Sequence, residues 1–181
     1  LHPALDQVYQ LVRAKLMDYF GSSLGEMIQA FTLRGAIGAV SNSTTASTNV
    51  KAVPTLLIIH ARSGSMIENP QQLSQELMTI APGIVGVIIE RVGGRYGRVF
   101  SGQEFLTDIV LGRRFRVSAD SFFQVNLVQT SVLVERAMAM LEPQRSEIVL
   151  DGYSGVGLFS AFLSARSARV IAIESQPSAV M

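Results

Sequence analysis

Asp151, Gly155, Gly157 and Glu174 are spaced as a strand-ending acid, a glycine turn that opens a helix, and a second strand-ending acid. Glycines in such a turn permit positive φ values and let the backbone approach a ligand with no Cβ in the way. In open sheets of parallel strands, ligands bind at the carboxyl ends of the strands, where this turn would lie. Glu174, about 20 residues past the turn, is placed to accept hydrogen bonds from both hydroxyls of an adenosine ribose, which a neutral carboxyl would do poorly. The chemistry implied is recognition of a nucleoside-containing cofactor, and a tight turn that binds nothing is the plain alternative. A nicotinamide dinucleotide site would place a third glycine close to the helix, and Ser160 stands there instead.

These residues need a β-α-β unit to hold them. Residues 147–150 read as a compact strand, 155–165 as a helix and 169–173 as a second strand rich in β-branched side chains, which predicts a right-handed crossover. A long helix is predicted before them over 123–141, with Val125, Val128, Val132, Leu133 and Met140 on or near its buried face and Pro143 ending it. Upstream, Leu5, Val8, Leu11, Val12, Leu16 and Tyr19 predict a helix over 3–20, with Gly21 at its C-cap. Strands are expected over 26–33 and 53–60, separated by a polar tract at 41–49 that reads as a mobile loop. Asn69-Pro70 opens a helix with Leu73, Leu77 and Ile80 on one face, Pro82-Gly83 closes it, and 84–89 comes next as a strand. Shorter strands are predicted at 98–101, 105–110 and 113–117, with Gly102 and Gly112 as turn residues.

The fold class is therefore α/β: a mixed α+β domain over 1–117, then the first part of a Rossmann-like domain over 118–181. The 48% hydrophobic content is ample for a core. Absence of cysteine excludes disulfides and thiolate metal sites within the chain, and two histidines, His2 and His60, are too few for a histidine metal site. His60 ends an apolar run and is expected to be structural. No window suits a membrane helix and no signal peptide is visible, so a cytoplasmic protein is expected. The net charge of +1 hides two arginine groups, at Arg91, Arg95 and Arg98 and at Arg113, Arg114 and Arg116, which permit contact with nucleic acid without requiring it.

Asp151, four residues before Gly155, suggests a methyltransferase turn, and a second motif sharpens this. Phe115-Arg116-Val117-Ser118-Ala119-Asp120-Ser121-Phe122-Phe123-Gln124-Val125-Asn126, followed by Asp151-Gly152-Tyr153-Ser154-Gly155-Val156-Gly157, closely resembles the paired signatures of the RNA uracil-C5 methyltransferases. The resemblance covers about residues 99 to 180. It implies S-adenosylmethionine as cofactor and ribosomal or transfer RNA as substrate. It also implies that Gln124 contacts the cofactor from the preceding helix, that Asp151 orients its methionine amino group, that Tyr153 lies beside it, and that Glu174 binds the ribose. Phe122 and Asn126 would face the target base, while one of the two adjacent phenylalanines is expected in the core. Gln124 and Asn126 could equally serve as capping residues.

Two positions depart from the family pattern. Gly152 and Ser154 stand where leucine and cysteine are usual, and Gly152 predicts a looser turn. The family's chemistry starts with a cysteine thiolate adding to C6 of uracil and ends with a base removing the C5 proton. Neither catalytic residue is in this chain; both are expected downstream of Met181, which makes the chain read as a fragment that is inactive by itself. Three alternatives stand beside this reading: an RNA-binding module without chemistry, a nicotinamide-dependent oxidoreductase, and a methyltransferase for protein or small molecules.

Overall fold

The computed structural model describes residues 2–37, 52–91 and 98–180, and the chain divides into two compact units, Leu1–Leu106 and Thr107–Met181. The polar tract at 41–49 and Arg95 lie outside the described residues.

In the first unit, α1 (Pro3–Phe20) starts where Pro3 needs no amide partner and His2 Nδ1 accepts from the Ala4 amide at 3.3 Å. It ends at Gly21, whose φ of +55° a larger residue would rarely adopt. A 3₁₀ turn and the short α2 (Leu24–Met27) come next, so β1 (Ile28–Gly35) begins two residues later than the periodicity implies. β2 (Thr55–Ala61) pairs antiparallel with β1 and parallel with β3 (Ile84–Arg91), α3 (Pro70–Thr79) making the crossover. β4 (Val99–Gly102) pairs antiparallel with β3, giving the order β1-β2-β3-β4. Leu56, Leu57, Ile58 and Ile59 of β2 are all buried, as expected of an inner strand covered on both faces. His60 bridges strands, Nε2 lying 3.2 Å from Thr32 Oγ1 and Nδ1 2.8 Å from Glu90 Oε1.

The second unit begins inside β5 (Phe105–Val110), which pairs with β6 (Arg113–Ser118). The two strands join through Leu111 and Gly112, both at positive φ, the geometry of a tight hairpin turn. The composition of the chain places a boundary after Val117. In the structure Val110, Phe115 and Val117 share a core with Phe123, Val134, Met138, Leu158 and Leu163, so the hairpin packs with the helices and strands C-terminal to it.

α4 (Leu127–Leu141) starts four residues later than expected, because Asn126 caps it: its Oδ1 accepts from the Gln129 amide at 3.1 Å. The expected buried face is also wrong. Val125, Val128, Val132, Leu133 and Met140 are exposed, and the buried stripe is Thr130, Val134 and Met138. The helix is apolar on two flanks, with Leu127 and Ala137 beside the true stripe, and periodicity does not choose between them. β7 (Ile148–Gly152), α5 (Leu158–Leu163), β8 (Arg169–Ile173) and α6 (Pro177–Val180) complete the unit, with β7 and β8 parallel. α5 starts three residues later than the sequence implies, since Gly155 and Gly157 adopt φ of +55° and +78°, which a helix cannot contain. Among the described residues no helix is long and apolar enough to cross a membrane, and no group of three acidic or histidine side chains could hold a metal.

Candidate functional site

Parallel pairing sets Asp151 of β7 beside Ala172 of β8, so both strands deliver their carboxyl ends to one edge. There the turn after β7 meets the turn after β8. Ser154 donates its amide to the Ile173 carbonyl at 3.0 Å, and Gly157 donates to the Ser154 carbonyl at 2.9 Å. A cavity of about 440 Å³ opens at this edge, walled by Gly155, Val156, Gly157, Glu174, Ala179 and Val180.

Glu174 is the charged group in that wall. Its Oε1 accepts from the amides of Ser175 at 2.7 Å and Gln176 at 2.8 Å, and its Oε2 accepts from the Gly155 amide at 2.8 Å. These amides, that of Gln176 foremost and then that of Gly155, hold its pKa below the ordinary 4.5. The carboxylate is therefore ionised at neutral pH and fixed in orientation. Each carboxylate oxygen has two lone pairs. Oε1 is occupied by its two amides, with the Ser175 hydroxyl also 3.5 Å away, while Oε2 keeps one lone pair for a ligand hydroxyl, so a second hydroxyl would have to share Oε1. Gly155 contributes in another way: nothing lies within 4 Å of where its Cβ would be, and its positive φ turns its amide onto the carboxylate.

Asp151 acts at the end of β7, on the start of α5. Its Oδ2 accepts from the Ser160 amide at 3.0 Å and from the Ser160 hydroxyl at 2.5 Å. Ser160 is the third residue of α5, whose N-cap, Gly157, has no side chain to satisfy that amide. Asp151 thus caps the helix from the preceding strand and places its negative charge at the positive end of the helix. In the sequence Ser160 stands out only as a missing glycine; its hydroxyl, complementary to Asp151, is the signal that such a reading misses.

The remaining sites are arranged as follows. Tyr153 is 95% exposed and holds φ +60°, an uncommon conformation for a residue with a Cβ. Phe123 is buried, its ring 5.7 Å from that of Phe115, whereas Phe122 is 75% exposed. Gln124 is half-buried, and Asn126 is spent on the cap of α4. The structure brings Gly155, Gly157 and Glu174 to one cavity; among the described residues Phe122, Gln124, Asn126, Asp151 and Tyr153 do not line it. Gly152 is exposed, and a Cβ there would meet open space.

The chain is 27% identical over 188 residues to an uncharacterized RNA methyltransferase of Lactiplantibacillus plantarum, covering 98% of this chain and 38% of that protein. It is 32% identical over 132 residues to one of Nostoc sp., covering 69% of this chain and 28% of the relative, and 28% identical over 132 residues to one of Oceanobacillus iheyensis, covering 69% and 29%. Its relatives are RNA methyltransferases. The chain spans about 28 to 38% of their length. No protein-family model matches it. Among solved structures, the Pyrococcus abyssi tRNA (uracil-54, C5)-methyltransferase in complex with S-adenosyl-L-homocysteine superposes with a TM-score of 0.64 at 16% identity, covering 94% of this chain and 41% of that one. The shared feature is the fold, α/β with a Rossmann-like part.

Proposed function

We propose that the protein is an S-adenosylmethionine-dependent RNA methyltransferase that modifies uracil at C5, and that this chain supplies part of its cofactor site. The observation that carries the cofactor reading is the Glu174 carboxylate, held ionised by three backbone amides in the wall of a cavity that Gly155 and Gly157 also line. Such a carboxylate accepts from ribose hydroxyls, and the Cβ-free turn lets the cofactor approach the backbone. The bound cofactor supplies an electrophilic methyl group.

The names of the relatives support RNA as the substrate class. The uracil reading rests on the resemblance of the Phe122-Phe123-Gln124 segment and the Asp151–Gly157 turn to the paired signatures. Phe122 is exposed beside the buried Phe123 and can stack on a base taken out of the RNA. Gln124 and Tyr153 contact the cofactor in this reading, Asp151 orients its methionine amino group through the oxygen not bound to Ser160, and Asn126 faces the base. Since the chain has no cysteine, the thiolate that adds to C6 comes from outside it in this reading.

Mass spectrometry of ribosomal and transfer RNA from cells lacking the complete protein tests this reading. Loss of one 5-methyluridine names the target and the RNA class; an unchanged set of 5-methyluridines in both RNAs contradicts it.

A further inference from the structure

Between β6 and α4 the chain runs without regular structure, yet side chains alternate sharply: Ser121 is 1% exposed, Phe122 75% and Phe123 8%. Phe123 is held by Phe115 in the core. Ser121 is held elsewhere. Its hydroxyl lies 3.0 Å from the Ser178 carbonyl and 2.6 Å from the Ser118 hydroxyl, itself 3.3 Å from that carbonyl, so one of the two hydroxyl protons lies between the serines and the other is donated to the carbonyl. Ser178 belongs to α6, and the next two residues of α6, Ala179 and Val180, wall the Glu174 cavity. One buried hydroxyl therefore joins the segment that presents Phe122 to the helix that shapes the cavity, across 57 residues of sequence.

We propose that Ser121 is a positioning residue that couples cofactor binding to the presentation of Phe122, an inference that rests on the cofactor reading above. With inward-facing Ser121 and Phe123 fixed on either side, Phe122 has only the outward direction left to it. Because the tie runs to a main-chain oxygen of α6, anything that settles α6 against a ligand also settles the segment carrying Phe122. Ligand binding and base stacking thereby share one ordering cost instead of meeting it twice.

Calorimetric titration of the complete protein with S-adenosylhomocysteine tests this at a temperature where circular dichroism shows the variants folded. Ser121→Ala should weaken binding roughly tenfold, the size of one lost buried hydrogen bond. Ser178→Ala keeps the carbonyl acceptor and, within the tie, loses only the long 3.4 Å contact between its hydroxyl and that of Ser121, so it should stay within about twofold of the parent, a contrast that a general loss of packing would not give. Should Ser121→Ala fail to fold, Ser118→Ala reads the same tie through the hydroxyl 2.6 Å from Ser121, and a loss of about threefold supports the coupling. Unchanged affinity in the serine-to-alanine variants at 121 and 118 would overturn the proposal while leaving the cofactor reading intact. Failure of the unsubstituted protein to bind would overturn both.

Discussion

Glu174 accepts a hydrogen bond from the backbone amide of Gly155 at 2.8 Å, closing a 19-residue excursion of the chain into one turn-to-turn contact. The bond sets the carboxylate in the cavity wall before any ligand arrives. It also makes the charge of Glu174, rather than its shape alone, the quantity to test.

Glu174→Gln replaces one acceptor oxygen by an amide group that can only donate. Facing the amides of Ser175 and Gln176, or that of Gly155, it leaves donor against donor. Affinity for S-adenosylhomocysteine should fall roughly ten- to a hundredfold, the loss expected when hydrogen bonds to a charged acceptor are removed. Calorimetry checks it, and equal affinities would place the ribose elsewhere.

The same carboxylate gives a pH dependence of known sign. Its folded-state pKa is depressed below 4.5, so its contribution to stability is fully present above the unfolded value and is lost as pH falls through the folded one. Denaturation midpoints measured from about pH 6 down to about pH 3 should decline, and Glu174→Gln should decline less over the same range. Parallel declines would mean that the backbone amides do not favour the ionised form.

Tyr153 holds a left-handed backbone conformation at φ +60° while its side chain is 95% exposed. Tyr153→Gly relieves a backbone cost of about 1 kcal/mol and adds a similar entropy cost in the unfolded chain, so stability should change by less than about 0.5 kcal/mol. Cofactor affinity should nevertheless fall if the ring lies beside the ligand. Thermal melts paired with titrations separate the two effects.

Neighbouring phenylalanines should behave as opposites. Phe123→Ala empties a core site shared with Phe115 and should cost about 3 to 4 kcal/mol in chemical denaturation. Phe122→Ala should stay within about 0.5 kcal/mol while raising KM for RNA, because its ring already faces solvent.

The β-α-β unit and its turn are legible in the sequence because glycine, an acid and β-branched residues each have one dominant local use there; strand 169–173 coincides with β8. α4 is less legible. Its two apolar flanks make periodicity degenerate, and only packing with Leu158 and Leu163 selects the Val134 and Met138 side. The sequence allows either Phe122 or Phe123 in the core, a choice fixed by the ring of Phe115. The pairings of Asp151 with Ser160 and of Ser121 with Ser178 join residues whose partnership no local spacing announces.

Methylation at C5 must expel the proton of that carbon, so the complete protein should be given RNA tritiated at uracil C5 together with S-adenosylmethionine. The account predicts one tritium released to water for each methyl group transferred. Methyl transfer to RNA with the tritium retained would contradict it, placing the new group on another atom.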